Sequence, residues 1–242
     1  MIRYFIELSY DGQPYHGWQV QDNAVSVQGE ILDVLRIIVD KEVELMGCGR
    51  TDTGVHAKCF TAHMDINKEI DCDLIKYKMN GMLSNSIAIH RIFEVKEDMH
   101  ARFSAKSRAY RYYMTLEKNP FQSSYAYYFN KDLDVDLMNK ACKVLIGTQD
   151  FSCFSKSRTQ VKTNICDVQE AYWVQQGNDL VFYVKANRFL RNMVRAIVGT
   201  CLEIGQKRKE VSFMIELIAS KNRKIAGTSV PGHGLFLEEV VY

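Results

Sequence analysis

The chain has no apolar run approaching the ~20 residues that span a bilayer, so a membrane-spanning helix is excluded. It opens on Met1-Ile2-Arg3-Tyr4, which enters a strand-like alternation where a secretory leader would carry a basic and then an apolar block. A cytoplasmic protein is the expectation. The cysteines number seven, an odd count, and no two lie within four residues of each other. That argues against a secreted disulfide framework and against zinc-type Cys-x-x-Cys spacing, leaving most of them as small buried apolar residues. No Pro-, Gly- or Ser-rich linker divides the chain, and the formal net charge of +2 is too small to imply a polyanionic partner by itself.

What is present is a chain of 242 residues, 47% hydrophobic and 25% charged, long enough for one large domain or two modest ones. Charge is segregated. Basic residues gather at Arg102, Lys106, Arg108 and Arg111, at Lys156, Arg158 and Lys162, at Arg188, Arg191 and Arg195, and at Lys207, Arg208 and Lys209. Acidic ones gather at Glu94 to Asp98 and Asp132 to Asp136. Segregation of this kind is expected where one face meets phosphates, although a charge run is also what any solvated face carries.

Period-two alternation predicts strands at Ile2 to Leu8, Val43 to Gly47, Val55 to Ile66, Ile87 to Val95, from Ser107 onward, Ile165 to Val174, Leu180 to Ala186 and from Leu235 to the end. Helical spacing predicts helices after Ser26, and near Asp71–Leu83, Leu133–Ile146, Leu190–Leu202 and Val211–Ser220, with an irregular stretch from Gly147 to Thr163. Strands interleaved with helices in both halves give an α+β class, divided at residues 1–106 and 107–242.

One stretch stands out: Gly47-Cys48-Gly49-Arg50-Thr51-Asp52-Thr53-Gly54-Val55-His56-Ala57. Three glycines around one carboxylate predict a sharp bend between two strands, where a rigid scaffold can present a reactive group. An aspartate so placed is equally a turn-former capping its own backbone. Further on, period two puts Arg108, Tyr110 and Tyr112 on one strand face. A cation beside aromatic rings suits an unstacked base, while tyrosines also simply pack on sheets. Arg191 and Arg195, one turn apart beside an apolar stripe, can reach a cleft edge or snorkel to water.

Gly49-Arg50-Thr51-Asp52-Thr53-Gly54-Val55-His56-Ala57 resembles the active-site signature of the TruA family of tRNA pseudouridine synthases. Further blocks resemble that family in order and spacing: Tyr10-Asp11-Gly12, His16-Gly17-Trp18-Gln19, Ser26-Val27-Gln28, His100-Ala101-Arg102-Phe103-Ser104-Ala105, Arg108-Ala109-Tyr110-Arg111-Tyr112 and Asn192-Met193-Val194-Arg195. The likeness implies two α+β halves sharing a mostly antiparallel sheet, helices on one side and a central RNA-binding cleft on the other. It implies conversion of uridine to pseudouridine at positions 38, 39 and 40 of the tRNA anticodon stem-loop, without metal or cofactor, by a homodimer.

In that likeness Asp52 starts the reaction as nucleophile or as base toward the sugar, with Arg195 as its counter-ion. Tyr110 stacks on the target uracil, Leu235 packs on its other side, and Arg50 helps displace the nucleotide and hold its phosphate. Departures from the family pattern are Ser84-Asn85-Ser86 where many relatives have a proline, Asn164 where arginine is usual, and Val230-Pro231-Gly232-His233 in place of Ala-Pro-Ala. The residues alone leave two competitors: a non-catalytic RNA-binding protein and a carboxylate-dependent nucleosidase.

Overall fold

The computed structural model describes residues 1–156 and 162–242. Arg158, one of the clustered basic residues, lies outside the described residues. The chain forms two compact units, Met1–Lys106 together with Phe236–Tyr242, and Ser107–Leu235.

In the first unit the alternation of Tyr4, Ile6 and Leu8 becomes β1 (Ile2–Tyr10), whose buried face is paired across to Met64, Ala62 and Phe60 of the antiparallel β3 (His56–Ile66). On its other side β1 pairs antiparallel with β4 (Ile87–Val95). The opposite sheet face carries Arg3, Phe5, Thr61, His63 and Asp65, as a period of two requires. α1 (Val27–Ile38) starts where Ser26 Oγ accepts the Gly29 amide, and α2 (Cys72–Met82) where Asp71 Oδ1 accepts that of Leu74. Asn80 of α2 then exchanges two 2.8 Å bonds with the Ile89 backbone, tying the helix to the edge strand β4.

The strand expected over Val43 to Gly47 is only Met46–Gly47, β2, although Val43 and Leu45 are buried. Alternation reports which side chains point inward; a ladder also needs a partner, and β3 offers one only opposite Met46 and Gly47.

The second unit runs β5 (Ser107–Thr115), β6 (Tyr127–Tyr128), α3 (Val135–Lys143), β7 (Gly147–Asp150), β8 (Ile165–Gln176), β9 (Asp179–Ala186), α4 (Met193–Gly205) and α5 (Ser212–Ser220). Its strands are ordered β5-β9-β8-β7, all antiparallel, with β6 parallel to β5. The hairpin between β8 and β9 turns through Gly177 at φ 59°. Helix α3 is shorter than Leu133–Ile146, because Asp134 already caps its first turn by accepting the Leu137 amide.

The stretch from Gly147 holds a strand and a 3₁₀ turn at Ser152–Phe154 where irregular chain was expected. Gly-Thr-Gln-Asp has no apolar alternation to announce β7; pairing with β8 makes it a strand. Two-residue β6 has no sequence signal either. Leu190 is buried ahead of α4, which starts after Asn192 at φ 67°. The last strand, β10 (Leu235–Val241), pairs in parallel with β3, Phe236 opposite His56, so that Phe236–Tyr242 belong to the first unit. The result is a mixed α+β fold with mostly antiparallel strands. No helix among the described residues is long and apolar enough to cross a membrane. Cys48, Cys142, Cys153, Cys166 and Cys201 are buried, and Cys59 and Cys72 are partly so.

Candidate active site

Asp52 sits in the turn that enters β3, half-buried, with the Val55 amide donating to its backbone oxygen at 3.1 Å. The turn is held from outside by the chain between Tyr10 and Trp18. Trp18 N–H donates to Thr51 O, Gly54 N–H donates to Tyr15 O, and the Tyr10 hydroxyl bonds Thr51 Oγ1 at 2.9 Å. Two glycines make this approach possible. At Gly17, with φ +97°, a Cβ would stand 2.4 Å from Thr51 O, and at Gly12 one would stand 2.0 Å from Val55 O. The glycines within the signature divide: Gly54 turns at φ 72°, Gly47 packs against the Trp18 indole, and Gly49 has open space around it.

Below the turn, His56 Nδ1 lies 3.1 Å from the Gly12 amide, which donates to it, and 3.0 Å from Asp11 Oδ1. Its ring stacks on Phe236 at 4.4 Å. Trp18 stacks on Phe60 at 4.0 Å, so the clamp stands on the core of the first unit. Sequence reading gave Gly12, Gly17 and Trp18 no role at the site; their work is to immobilise the backbone on either side of Asp52. Arg50 is exposed, two residues before the carboxylate.

In the second unit, Tyr110 and Tyr112 lie on the same face of β5, opposite Val184 and Phe182 of β9. The Tyr110 ring meets Phe189 edge-on at 5.1 Å. Tyr112 is fully buried; burial holds its phenol well above the usual range, and its hydroxyl donates to Pro231 O at 2.9 Å. Arg195, half-buried on α4, donates through Nε to Val230 O at 2.7 Å, and Val230 N–H donates back to Arg195 O. A Cβ on Gly199 would overlap Thr228 O and one on Gly227 would stand 2.6 Å from Thr200 N, so the 226–231 segment lies against α4 backbone to backbone. Leu235, buried, follows Gly234, which packs on the Tyr112 ring. Asp52 and Arg50 thus belong to one unit, and Tyr110, Arg195 and Leu235 to the other.

Residues 141–242 match the family model described as tRNA pseudouridine synthase. Over the whole chain and 96% of the relative, the sequence is 48% identical to tRNA pseudouridine synthase A of Parabacteroides distasonis. It is 46% identical to that of Bacteroides fragilis over 99% of this chain and 96% of the relative, and 38% identical to that of Clostridium acetobutylicum over 98% of each. The chain belongs to the tRNA pseudouridine synthase A family.

A solved structure described as a Cbf5-Nop10-Gar1 complex aligns with a TM-score of 0.42 and 12% identity, over 98% of this chain and 48% of that one; the likeness is too weak to carry weight.

Against that family the three departures have visible local work. Ser84 and Ser86 bond the Tyr15 hydroxyl at 3.0 and 2.6 Å, and that hydroxyl donates to Glu30 Oε2 at 2.6 Å. Burial pushes the Glu30 carboxyl up, but its bonds with Tyr15 and Ser84 outweigh this and hold it below the usual range. Asn164 ties Ser152 and, through its carbonyl, Phe151. Val230 and Pro231 supply the carbonyls that orient Arg195 and Tyr112.

The basic clusters also divide. Arg108 is 9% exposed and spends its guanidinium on Asn187 O, while Lys207 pairs with Asp134 and Lys221 with Asp150. Of these, Arg108 is buried and serves the fold, whereas Lys207 and Lys221 stay exposed, as do Arg102, Arg111 and Arg191.

Proposed function

We propose that this protein isomerises uridine to pseudouridine in the anticodon stem-loop of tRNA, at positions 38, 39 and 40. One observation carries the reading: in a chain of this family, the signature aspartate is a half-buried carboxylate on a turn whose backbone is clamped from outside by Gly12, Gly17 and Trp18. Positioning of that quality is what a reacting group needs and what an ordinary surface turn lacks.

In the proposed reaction the N1–C1′ bond breaks, the uracil rotates, C5 bonds to C1′, and the proton lost from C5 is balanced by one gained at N1. Nothing is oxidised or reduced, so the scheme calls for no cofactor. Asp52 starts it, as nucleophile at C1′ or as base toward the sugar; both roles need an ionised carboxylate in a site that excludes water. Arg195 serves as its counter-ion. Tyr110 stacks on the flipped uracil and Leu235 packs on its other side, offsetting the few kcal/mol that flipping costs. Arg50, exposed beside Asp52, takes the displaced nucleotide's phosphate.

Tritium release from an unmodified tRNA carrying 5-tritiated uridine tests the reading. The isomerase liberates tritium catalytically and leaves the RNA chain intact. A binding protein liberates none, and a nucleosidase leaves abasic sites. The ring of Tyr110 is the part required for stacking, so Tyr110→Phe is expected to bind tRNA as the parent does. The protein is inferred to work in the cytoplasm as a homodimer; sedimentation at micromolar concentration tests the second point.

A further inference from the structure

The loop from Met99 to Ser104 is among the most thoroughly tied in the first unit, yet it displays a phenylalanine to solvent. Every amide along it has an acceptor. Met99 N–H donates to Lys96 O, His100 N–H to Ser104 Oγ, and Ala101 N–H to His63 Nδ1. Arg102 and Phe103 N–H both donate to His100 Nδ1, and Ser104 N–H donates to His100 O. Carbonyls are held as well: Arg3 donates to Glu97 O and Met99 O, and the Tyr242 hydroxyl to Ala101 O at 2.6 Å.

Burial brings His63 down to about 4 and lowers His100, so both rings are neutral acceptors near neutral pH. Such a framework removes the freedom by which an apolar side chain would fold away. Phe103 nevertheless remains 75% exposed, against the His100 ring at 4.4 Å and under the Arg102 guanidinium at 5.4 Å. A stray surface phenylalanine needs no such support. A rigid ring beside a cation on a locked loop is the arrangement that stacks a base and grips its phosphate.

We propose that Phe103 and Arg102 form a second RNA contact, in which an unpaired base of the tRNA lies on the phenyl ring while the guanidinium meets its phosphate. The inference rests on the tRNA reading above. The contact is separate from the reacting uridine: the loop hangs from His63, seven residues along β3 from His56, about 20 Å at the rise of a strand. A nucleotide held there fixes the register of the RNA relative to the Asp52 turn.

The test is equilibrium binding of an unmodified tRNA transcript to the full chain, with melting and sedimentation of each variant alongside. Phe103→Ala is expected to weaken binding by about 5- to 150-fold, the range for loss of one stacked base, at an unchanged melting temperature. Phe103→Tyr keeps the ring and is expected within about threefold of the parent. Arg102→Gln is expected to weaken binding and to reduce the slope of log affinity against log salt by about one.

Parental affinity in Phe103→Ala, or equal losses in the alanine and tyrosine variants, overturns the proposal. So does a change of oligomeric state at constant RNA affinity, which would make the ring a contact for a second copy. Tritium release by the parent protein separates the two readings. If the parent releases tritium and Phe103→Ala binds normally, the second contact alone is wrong; if the parent binds RNA through Phe103 but releases none, the isomerase reading alone is wrong.

Discussion

Two loops flank β3, and they are immobilised by opposite means. At its start, the Asp52 turn is held by backbone: carbonyls of Thr51 and Tyr15 receive amides from neighbouring chain, and Gly12 and Gly17 have no Cβ to keep the strands of the clamp apart. Seven residues on, the Met99–Ser104 loop is held by side chains, chiefly the rings of His63 and His100. The first device is intolerant of any side chain at two positions. The second accepts many surface changes and depends on two imidazoles staying neutral.

The comparison can be broken at several points. The largest effect is expected from Asp52→Asn, which leaves the clamp intact and should lower turnover by about 10³-fold or more while tRNA affinity stays within a few-fold; near-parental turnover would end the assignment of Asp52. Next is Gly17→Ala, which adds a strained φ to a 2.4 Å overlap with Thr51 O. It should cost about 3 kcal/mol in denaturant unfolding, whereas Gly49→Ala, in open space, should stay within about 1 kcal/mol. Equal losses at the two glycines would mean that the clamp does not hold the turn.

For the second loop, acid is the probe. His63 holds no proton in the folded chain until about pH 4, against its ordinary 6.5. Stability is therefore full above pH 6.5 and falls as pH drops toward 4, because the unfolded chain takes up the proton first. The loss amounts to about 3 kcal/mol and is complete below that window. Urea midpoints between pH 7 and 4 should decline in the parent and decline less in His63→Gln; parallel curves would refute it. The smallest effect is expected from Tyr15→Phe, which removes the hydroxyl shared by Glu30, Ser84 and Ser86 and should cost about 1–2 kcal/mol in the same assay.

Most elements were legible because their patterns are strong and local. Ser26 and Asp71 start helices as N-caps, Ile87 and Ile89 open their strand in alternation, and Gly177 marks its hairpin. What escaped shares one cause. β6 and β7 have no hydrophobic period, and their pairing is decided by chain far away in sequence. Val43 and Leu45 show the converse, an inward alternation with no partner strand beside it. The basic clusters misled for the same reason, since Arg108 counts as a surface cation in sequence and is a buried donor to Asn187 in space.

The amino-acid order alone determined the α+β class and the family and singled out Asp52 as the candidate, because caps, periods and a nine-residue signature are properties of neighbouring residues. Only the folded chain decided what holds that aspartate still and which aromatic ring is left facing water. Those depend on contacts such as Gly17 with Thr51 and His63 with Ala101, made between segments that the sequence keeps tens of residues apart.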